Sequence, residues 1–103
     1  MGKEPKVPEQ DGGMRGPVSV DANFAFQGRL KPDSFRDFAR RRAARLSLDL
    51  EERGASSESF ACRVSGPLAL VDAFEMACSL GPLDCLVLDV WREDRTRELS
   101  NHV

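Results

Sequence analysis

Residues 28–36 read Gly-Arg-Leu-Lys-Pro-Asp-Ser-Phe-Arg, and they separate a strand pattern from a helix pattern. Before this stretch, large apolar residues alternate with small or polar ones, which predicts a strand with one buried face. Its apolar members are Val18, Val20, Ala22, Phe24 and Phe26. After the stretch, apolar residues recur every three or four positions, which predicts an amphipathic helix. Its apolar members are Phe35, Phe38, Ala39, Ala43 and Leu46.

The same two periodicities predict four further elements. Leu48 and Leu50 begin a brief second strand, and Gly54 gives the following segment the freedom that a hairpin turn needs. An alternation at residues 60–64 predicts a third strand whose apolar face matches that of the first. A second helix is expected from Pro67, as its first residue, to Gly81-Pro82. An apolar run at residues 85–91 predicts the last strand.

The order β-α-β-β-α-β is that of the ferredoxin-like, split β-α-β sandwich, an α+β fold. We expect a four-stranded antiparallel sheet with two helices on one face. Residues 1–17 are rich in Pro, Gly and charge, so they are expected to form a flexible tail. The domain is placed at residues 18–91, and residues 92–103 are expected to form a polar tail.

Composition narrows the possible functions. A chain of 103 residues with 41% hydrophobic content forms one modest core, and its net charge of -2 offers no global attraction to nucleic acid. No apolar run has the ~20 residues that span a bilayer, so a cytoplasmic protein without membrane contact is expected. Cys62, Cys78 and Cys85 lack metal-site spacing and are expected to be reduced core residues.

Residues 28–36 resemble the phosphate loop of acylphosphatases, G-R-V-Q-G-V-x-F-R in family form, in length and in the final Phe-Arg. The resemblance extends over roughly residues 18–91 and includes the Arg-rich helix, Gly66-Pro67 and Gly81-Pro82. It implies an acylphosphatase-like fold with a ligand loop at Lys31, Pro32, Asp33, Ser34, Phe35 and Arg36. In such a site, loop amides surround the phosphate, an arginine in the position of Arg36 clamps it, and an asparagine orients the attacking water.

Three positions depart from the family pattern. Pro32 stands in place of a glycine, so one amide donor is missing and φ is fixed. Asp33 stands in place of a small apolar residue and would repel a phosphate dianion. Gly54 takes the position of the water-orienting asparagine, and the only asparagines in the chain are Asn23 and Asn101. The resemblance therefore implies a divergent active site.

Arg36 and the arginines of the first helix each have a second interpretation that involves no ligand. Arg36 is either an anion clamp or a solvent-facing arginine paired with Asp33 or Asp37. The arginines at 40–42 and 45 form either an interaction patch or a solvated face balanced by Asp49, Glu51 and Glu52.

The sequence gives little support for an RNA-binding site or a metal site. The open sheet face should show Ser19, Asp21, Asn23, Ala61 and Arg63, which offer no aromatic ring for an RNA base. The single histidine, His102, lies in the predicted tail, so neither a metal site nor a cofactor is expected.

These observations favour an acylphosphatase-like domain that has lost most or all acyl-phosphate hydrolysis and acts as a binding or interaction module. The first alternative is an active acylphosphatase, which hydrolyses carboxyl-phosphate anhydrides without metal or cofactor. The second is a protein-interaction or homodimerising module that uses a sheet edge or the arginine-rich helix face. Phosphate or an acyl phosphate, a protein partner or a second copy are thus the candidate partners.

Overall fold

The computed structural model describes residues 18–96. Four strands and two helices follow in the order β1 (Ser19–Arg29), α1 (Pro32–Arg45), β2 (Asp49–Ala55), β3 (Ser59–Pro67), α2 (Leu68–Leu80) and β4 (Leu86–Thr96). The strands form one antiparallel sheet in the order β2-β3-β1-β4. The predicted ferredoxin-like α+β fold is confirmed. The predicted tail at residues 1–17 lies outside the described residues.

The core lies between the sheet and the two helices. Alternate residues of β1 point into it, and Phe24 and Phe26 stack with ring centroids 5.2 Å apart. Phe26 also contacts Phe35 of α1 and Phe74 of α2, at centroid distances of 5.6 and 6.3 Å. Because these rings come from three different elements, their burial fixes how both helices sit on the sheet.

Helix α1 begins two or three positions earlier than the sequence predicted, and α2 begins one position later. Helix α1 starts at Pro32, so Lys31 holds the N-cap position without a side-chain cap, and the predicted caps Asp33 and Ser34 lie in the first turn. Proline fits there because its missing amide would have no intrahelical acceptor. Pro67, predicted as the first residue of α2, instead ends β3 and occupies the N-cap position. The predicted end at Gly81 is confirmed, with φ of 66°.

The β2–β3 turn falls later than predicted. Gly54 is part of β2 and follows a bulge, because the register with β3 shifts between Glu52 and Gly54. The turn itself lies at residues 56–58, where the Ser56 hydroxyl accepts hydrogen bonds from the amides of Glu58 and Ser59, at 3.2 and 3.1 Å. A serine side chain that satisfies two turn amides stabilises the turn without glycine.

Strand β4 is longer than predicted, since it continues to Thr96 rather than ending at Trp91. The predicted C-terminal tail thus begins too early, and residues 97–103 lie outside the described part of the chain. Arg92 explains the extension. Its guanidinium lies over the ring of Phe24, 5.3 Å from the centroid, and donates hydrogen bonds to Asp94 and to Glu75 of α2. A charged residue thereby closes the edge of the core.

At the other end of β4, the chain passes so close to Gly28 that a Cβ added there would lie 2.0 Å from the carbonyl oxygen of Leu86. Only glycine allows this approach of two backbones. Within residues 18–96, neither helix is long and apolar enough to cross a membrane.

Replacing Phe26 with alanine should lower the free energy of unfolding by about 3–5 kcal/mol, because the ring is fully buried among three others. Urea denaturation followed by circular dichroism measures the change. Leu83→Ala serves as the control, since Leu83 is exposed, and we expect a change within about 0.5 kcal/mol. Equal losses in the two variants would contradict this description of the core.

Candidate anion-binding site

The connection between β1 and α1 contains only Leu30 and Lys31, and its backbone amides are already used. The amide of Leu30 donates to the carbonyl oxygen of Ser57 at 2.7 Å. The amide of Lys31 donates to the sulfur of Cys85 at 3.3 Å. Pro32 has no amide, so only the first-turn amides of Asp33 and Ser34 lack an intrahelical acceptor. The anion cradle is therefore reduced to one helix N-terminus.

Arg36, the predicted clamp, lies in α1 close to this N-terminus and is occupied by two carboxylates. Its Nε and Nη2 atoms donate to Oε1 and Oε2 of Glu52, at 2.7 and 3.0 Å. Its Nη1 atom donates to Oδ1 of Asp33 at 3.0 Å. Guanidinium also binds phosphate through two parallel hydrogen bonds. Glu52 therefore occupies the two donors of Arg36 that an anionic ligand would need.

The ion pair shifts the ionisation of both partners. The pKa of the Glu52 carboxyl is lowered from 4.5, chiefly by its hydrogen bond with Arg36, and the attraction of Arg36 and Arg40 adds to the effect. Burial acts in the opposite direction. The pKa of the Arg36 guanidinium is raised, first by the hydrogen bond with Glu52 and then by its charge. Both side chains thus remain charged around neutral pH.

A further carboxylate closes the opposite side of the helix N-terminus. The Ser34 hydroxyl donates to Oδ1 of Asp84 at 2.8 Å, and Cys85 follows in the chain. Burial is the largest cause of the raised pKa of the Cys85 thiol, so sulfur is an uncharged acceptor there. Asp33, Glu52 and Asp84 thus place three carboxylates at the helix N-terminus, and two of them are paired with Arg36. An incoming anion would meet these carboxylates at close range.

The structure brings together only part of the predicted site. Lys31, Pro32, Asp33, Ser34 and Arg36 lie around the N-terminus of α1, whereas Phe35 is fully buried in the core and is not available to a ligand. Gly54 is exposed in β2, and a Cβ added there would meet nothing within 4 Å.

From the sequence, Glu52 was expected only to help balance the charge of the arginine-rich helix face. Its place in the alternation of β2 was the one available signal that it would be half-buried opposite α1.

The arginine-rich face of α1 is balanced by one of the expected carboxylates, Glu52, and by Asp37 of the helix itself. Arg40 contacts Glu52 at 3.4 Å, and Arg41 pairs with Asp37 one turn earlier at 3.1 Å. Arg42 instead lies over the ring of Phe38, 5.6 Å from its centroid.

The open face of the sheet carries one aromatic residue that sequence reasoning missed. Trp91 of β4 lies opposite Ala25 and is 52% exposed. It was missed because the last strand was read as a uniformly apolar run, in which no face can be assigned.

The cysteines are all free, but only two of them belong to the core. Cys62 and Cys78 are buried, and burial raises the pKa of the Cys62 thiol to about 12. Cys85 is half-exposed, which corrects the expectation of three core cysteines. Among residues 18–96, no group of three or more His, Cys, Asp or Glu side chains is placed to hold a metal ion.

Solved structures with the same architecture include two acylphosphatases. The acylphosphatase from Bacillus subtilis aligns with a TM-score of 0.69 at 20% identity, over 81% of this chain and 91% of that one. The acylphosphatase from Coxiella burnetii aligns with a TM-score of 0.69 at 18% identity, over 82% and 90% of the two chains. The chain therefore has an acylphosphatase-like fold. No family model matches the sequence, and no curated protein matches it.

Replacing Glu52 with glutamine should reduce stability in a pH-dependent way. Because the folded state lowers the pKa of this carboxyl, its stabilising contribution is complete above its ordinary value of 4.5 and is lost as the pH falls through the lower folded value. The difference in unfolding free energy between wild type and Glu52→Gln should therefore shrink between about pH 5 and about pH 2.

Urea denaturation at several pH values measures this difference. Glu51→Gln is the matched control, because Glu51 lies in the same strand and has only longer contacts, 3.6 Å to Arg53 and 3.7 Å to Arg63. If the loss of unfolding free energy in Glu52→Gln stays constant down to pH ~2, the ion pair is not its source.

Proposed function

We propose that this protein is an acylphosphatase-like binding module whose ancestral anion site is closed by its own carboxylates, with little or no acyl-phosphate hydrolysis. The observation that carries the proposal is the two-point contact between Arg36 and Glu52, supplemented by Asp33. In this proposal, Glu52 and Asp33 take the place that a phosphate would occupy beside Arg36.

A competing phosphate would have to replace Glu52 as the partner of Arg36. Three nitrogens of Arg36 already donate to carboxylate oxygens, so a ligand has to compete with Glu52 and Asp33 for this guanidinium. If Glu52 were displaced, its half-buried carboxylate would lose its closest counter-charge and would face the incoming anion. Binding of a dianion is therefore opposed twice, by competition and by repulsion.

Hydrolysis also requires a group that holds the attacking water. The resemblance assigns this role to an asparagine at the position of Gly54, which has no side chain. Removal of one such positioning group typically reduces turnover by about 100-fold or more. The loss of water orientation and the closed clamp act on different steps, so their effects on hydrolysis should multiply.

Incubation with benzoyl phosphate tests the proposal directly. We expect release of phosphate at the spontaneous rate, both for wild type and for Arg36→Ala. Turnover by the wild type that disappears in Arg36→Ala would overturn the proposal and would identify an active acylphosphatase that uses Arg36 as its clamp.

Opening the site should restore anion binding. We expect the double variant Glu52→Gln with Asp33→Ser to bind inorganic phosphate at least tenfold more tightly than wild type, because both competing carboxylates are removed. Phosphate titration followed by amide NMR shifts at residues 31–36 measures the affinity.

Glu51→Gln with Asp37→Ser is the control for this titration, since it removes two carboxylates from the same elements without touching Arg36. Equal phosphate affinity in the opened and control variants would refute the closed-clamp interpretation. Adding Pro32→Gly and Gly54→Asn to the opened variant should then raise benzoyl phosphate turnover, and Gly54 leaves room for the new side chain.

A further inference from the structure

We propose that two copies of this chain pair antiparallel through the outer edge of β4, in a register centred on Arg92, and so form one continuous eight-stranded sheet. This names a partner for the proposed binding role. It does not use the anion site, so the two proposals can fail separately.

The sheet has two outer edges, on β2 and β4, and neither has a partner strand within residues 18–96. Such an edge presents unpaired amide and carbonyl groups to any strand that can align with it. Strand β2 has seven residues, a bulge and carboxylates at Asp49, Glu51 and Glu52, which are features that discourage pairing. Strand β4 has eleven residues and pairs regularly with β1 from Asp89 to Thr96. The longer, regular edge is the better template.

Apolar side chains are concentrated along β4 although it lies at an edge. Leu86, Leu88 and Trp91 are 53%, 67% and 52% exposed. A solvated edge strand normally avoids such a row, because it invites association. A second strand beside β4 would cover part of this surface.

Charged residues on the open face of β4 are placed to choose the register. Asp89, Trp91, Glu93 and Arg95 lie opposite β1 residues that face away from the core, namely Gln27, Ala25, Asn23 and Asp21. Among the ion pairs within residues 18–96, none involves Asp89, Glu93 or Arg95, and Asp21, which lies across from Arg95, pairs with Arg63. Their charges are thus available to a strand that pairs beyond the edge.

In a symmetric antiparallel pair, a residue a given number of positions before the centre faces the residue the same number of positions after it. With Arg92 at the centre, Asp89 faces Arg95 of the second copy, and symmetry repeats this ion pair. Opposite charges directly across an antiparallel pair are stabilising, and like charges are destabilising.

Registers centred on neighbouring residues are less stable, because they bring like charges together or include the bulge. Centring the pair on Trp91 places Asp89 against Glu93 twice, and centring it on Glu93 places two Glu93 carboxylates against each other. Centring it on Val90 brings the bulge at Leu88 into the new ladder, where it breaks the pairing. The charge pattern therefore favours one register over its neighbours.

On the helix face, the two Arg92 side chains would meet at the symmetry axis. Each guanidinium lies within 3.0 Å of carboxylate oxygens of Asp72, Glu75 and Asp94. Because each arginine is surrounded by three carboxylates, the local charge is negative, and a second guanidinium is tolerated.

Sedimentation equilibrium of the full chain tests the pairing. We expect a monomer–dimer equilibrium in the range of about 1–100 µM, as suits an interface at the small end of the known range. The single tryptophan, Trp91, lies in the proposed interface, so its emission should shift to shorter wavelength over the same concentrations. A monomer at every concentration up to about 1 mM would overturn the proposal.

Charge reversal tests the register. Asp89→Arg and Arg95→Asp each create two repulsive contacts, so each variant alone should dimerise at least about tenfold more weakly than wild type. An equimolar mixture of the two variants should regain dimers, because both contacts between positions 89 and 95 then join an arginine to an aspartate.

Glu51→Arg on the β2 edge is the control and should dimerise like wild type. A dimer that is insensitive to both β4 variants, or a mixture that stays monomeric, would refute this register. Circular dichroism confirms that each variant is folded, and both substituted β4 side chains are exposed in the monomer. None of these measurements contains phosphate, so their outcome is independent of the state of the anion site.

Discussion

The structure depends on the alternation of β1, which directs Phe24 and Phe26 to one face of the central strand. This face meets α1 through Phe35 and α2 through Phe74, and β3 adds Phe60, whose ring centroid is 5.2 Å from that of Phe35. Since β1 is also hydrogen-bonded to both β3 and β4, it connects all but one of the other elements directly. The order of the sheet and the seating of both helices follow from this one strand.

A second constraint determines what the fold can do. In this architecture, the N-terminus of α1 offers amides and a helix dipole to an anion, which is the physical basis of a phosphate site. Here the same place is surrounded by Asp33, Glu52 and Asp84, and the nearby arginine is bound to two of them. The N-terminus of α1 is retained, whereas the two amides of the preceding connection are bonded elsewhere and the first helical residue is a proline. The acylphosphatase-like fold alone therefore does not assign a function to this chain.

The structural similarity to two acylphosphatases at 18–20% identity fits a shared backbone with different side chains. A core of this kind requires apolar residues of suitable size at alternating or helical positions, and many sequences meet that requirement. A phosphate site requires particular donors at particular distances, and few sequences meet that. Backbone similarity at low identity therefore establishes the architecture, while the chemistry of the loop has to be judged from this chain's own contacts.

The sequence alone determined the order of elements, the buried face of β1 and the end of α2, because these depend on local periodicity and on glycine and proline. It also identified Pro32, Asp33 and Gly54 as the positions that depart from the acylphosphatase pattern. The partnership of Arg36 with Glu52 and the extension of β4 through Arg92 were decided only by tertiary structure. Both join residues at least 16 positions apart, and no local pattern shows which charges will meet once two elements pack together.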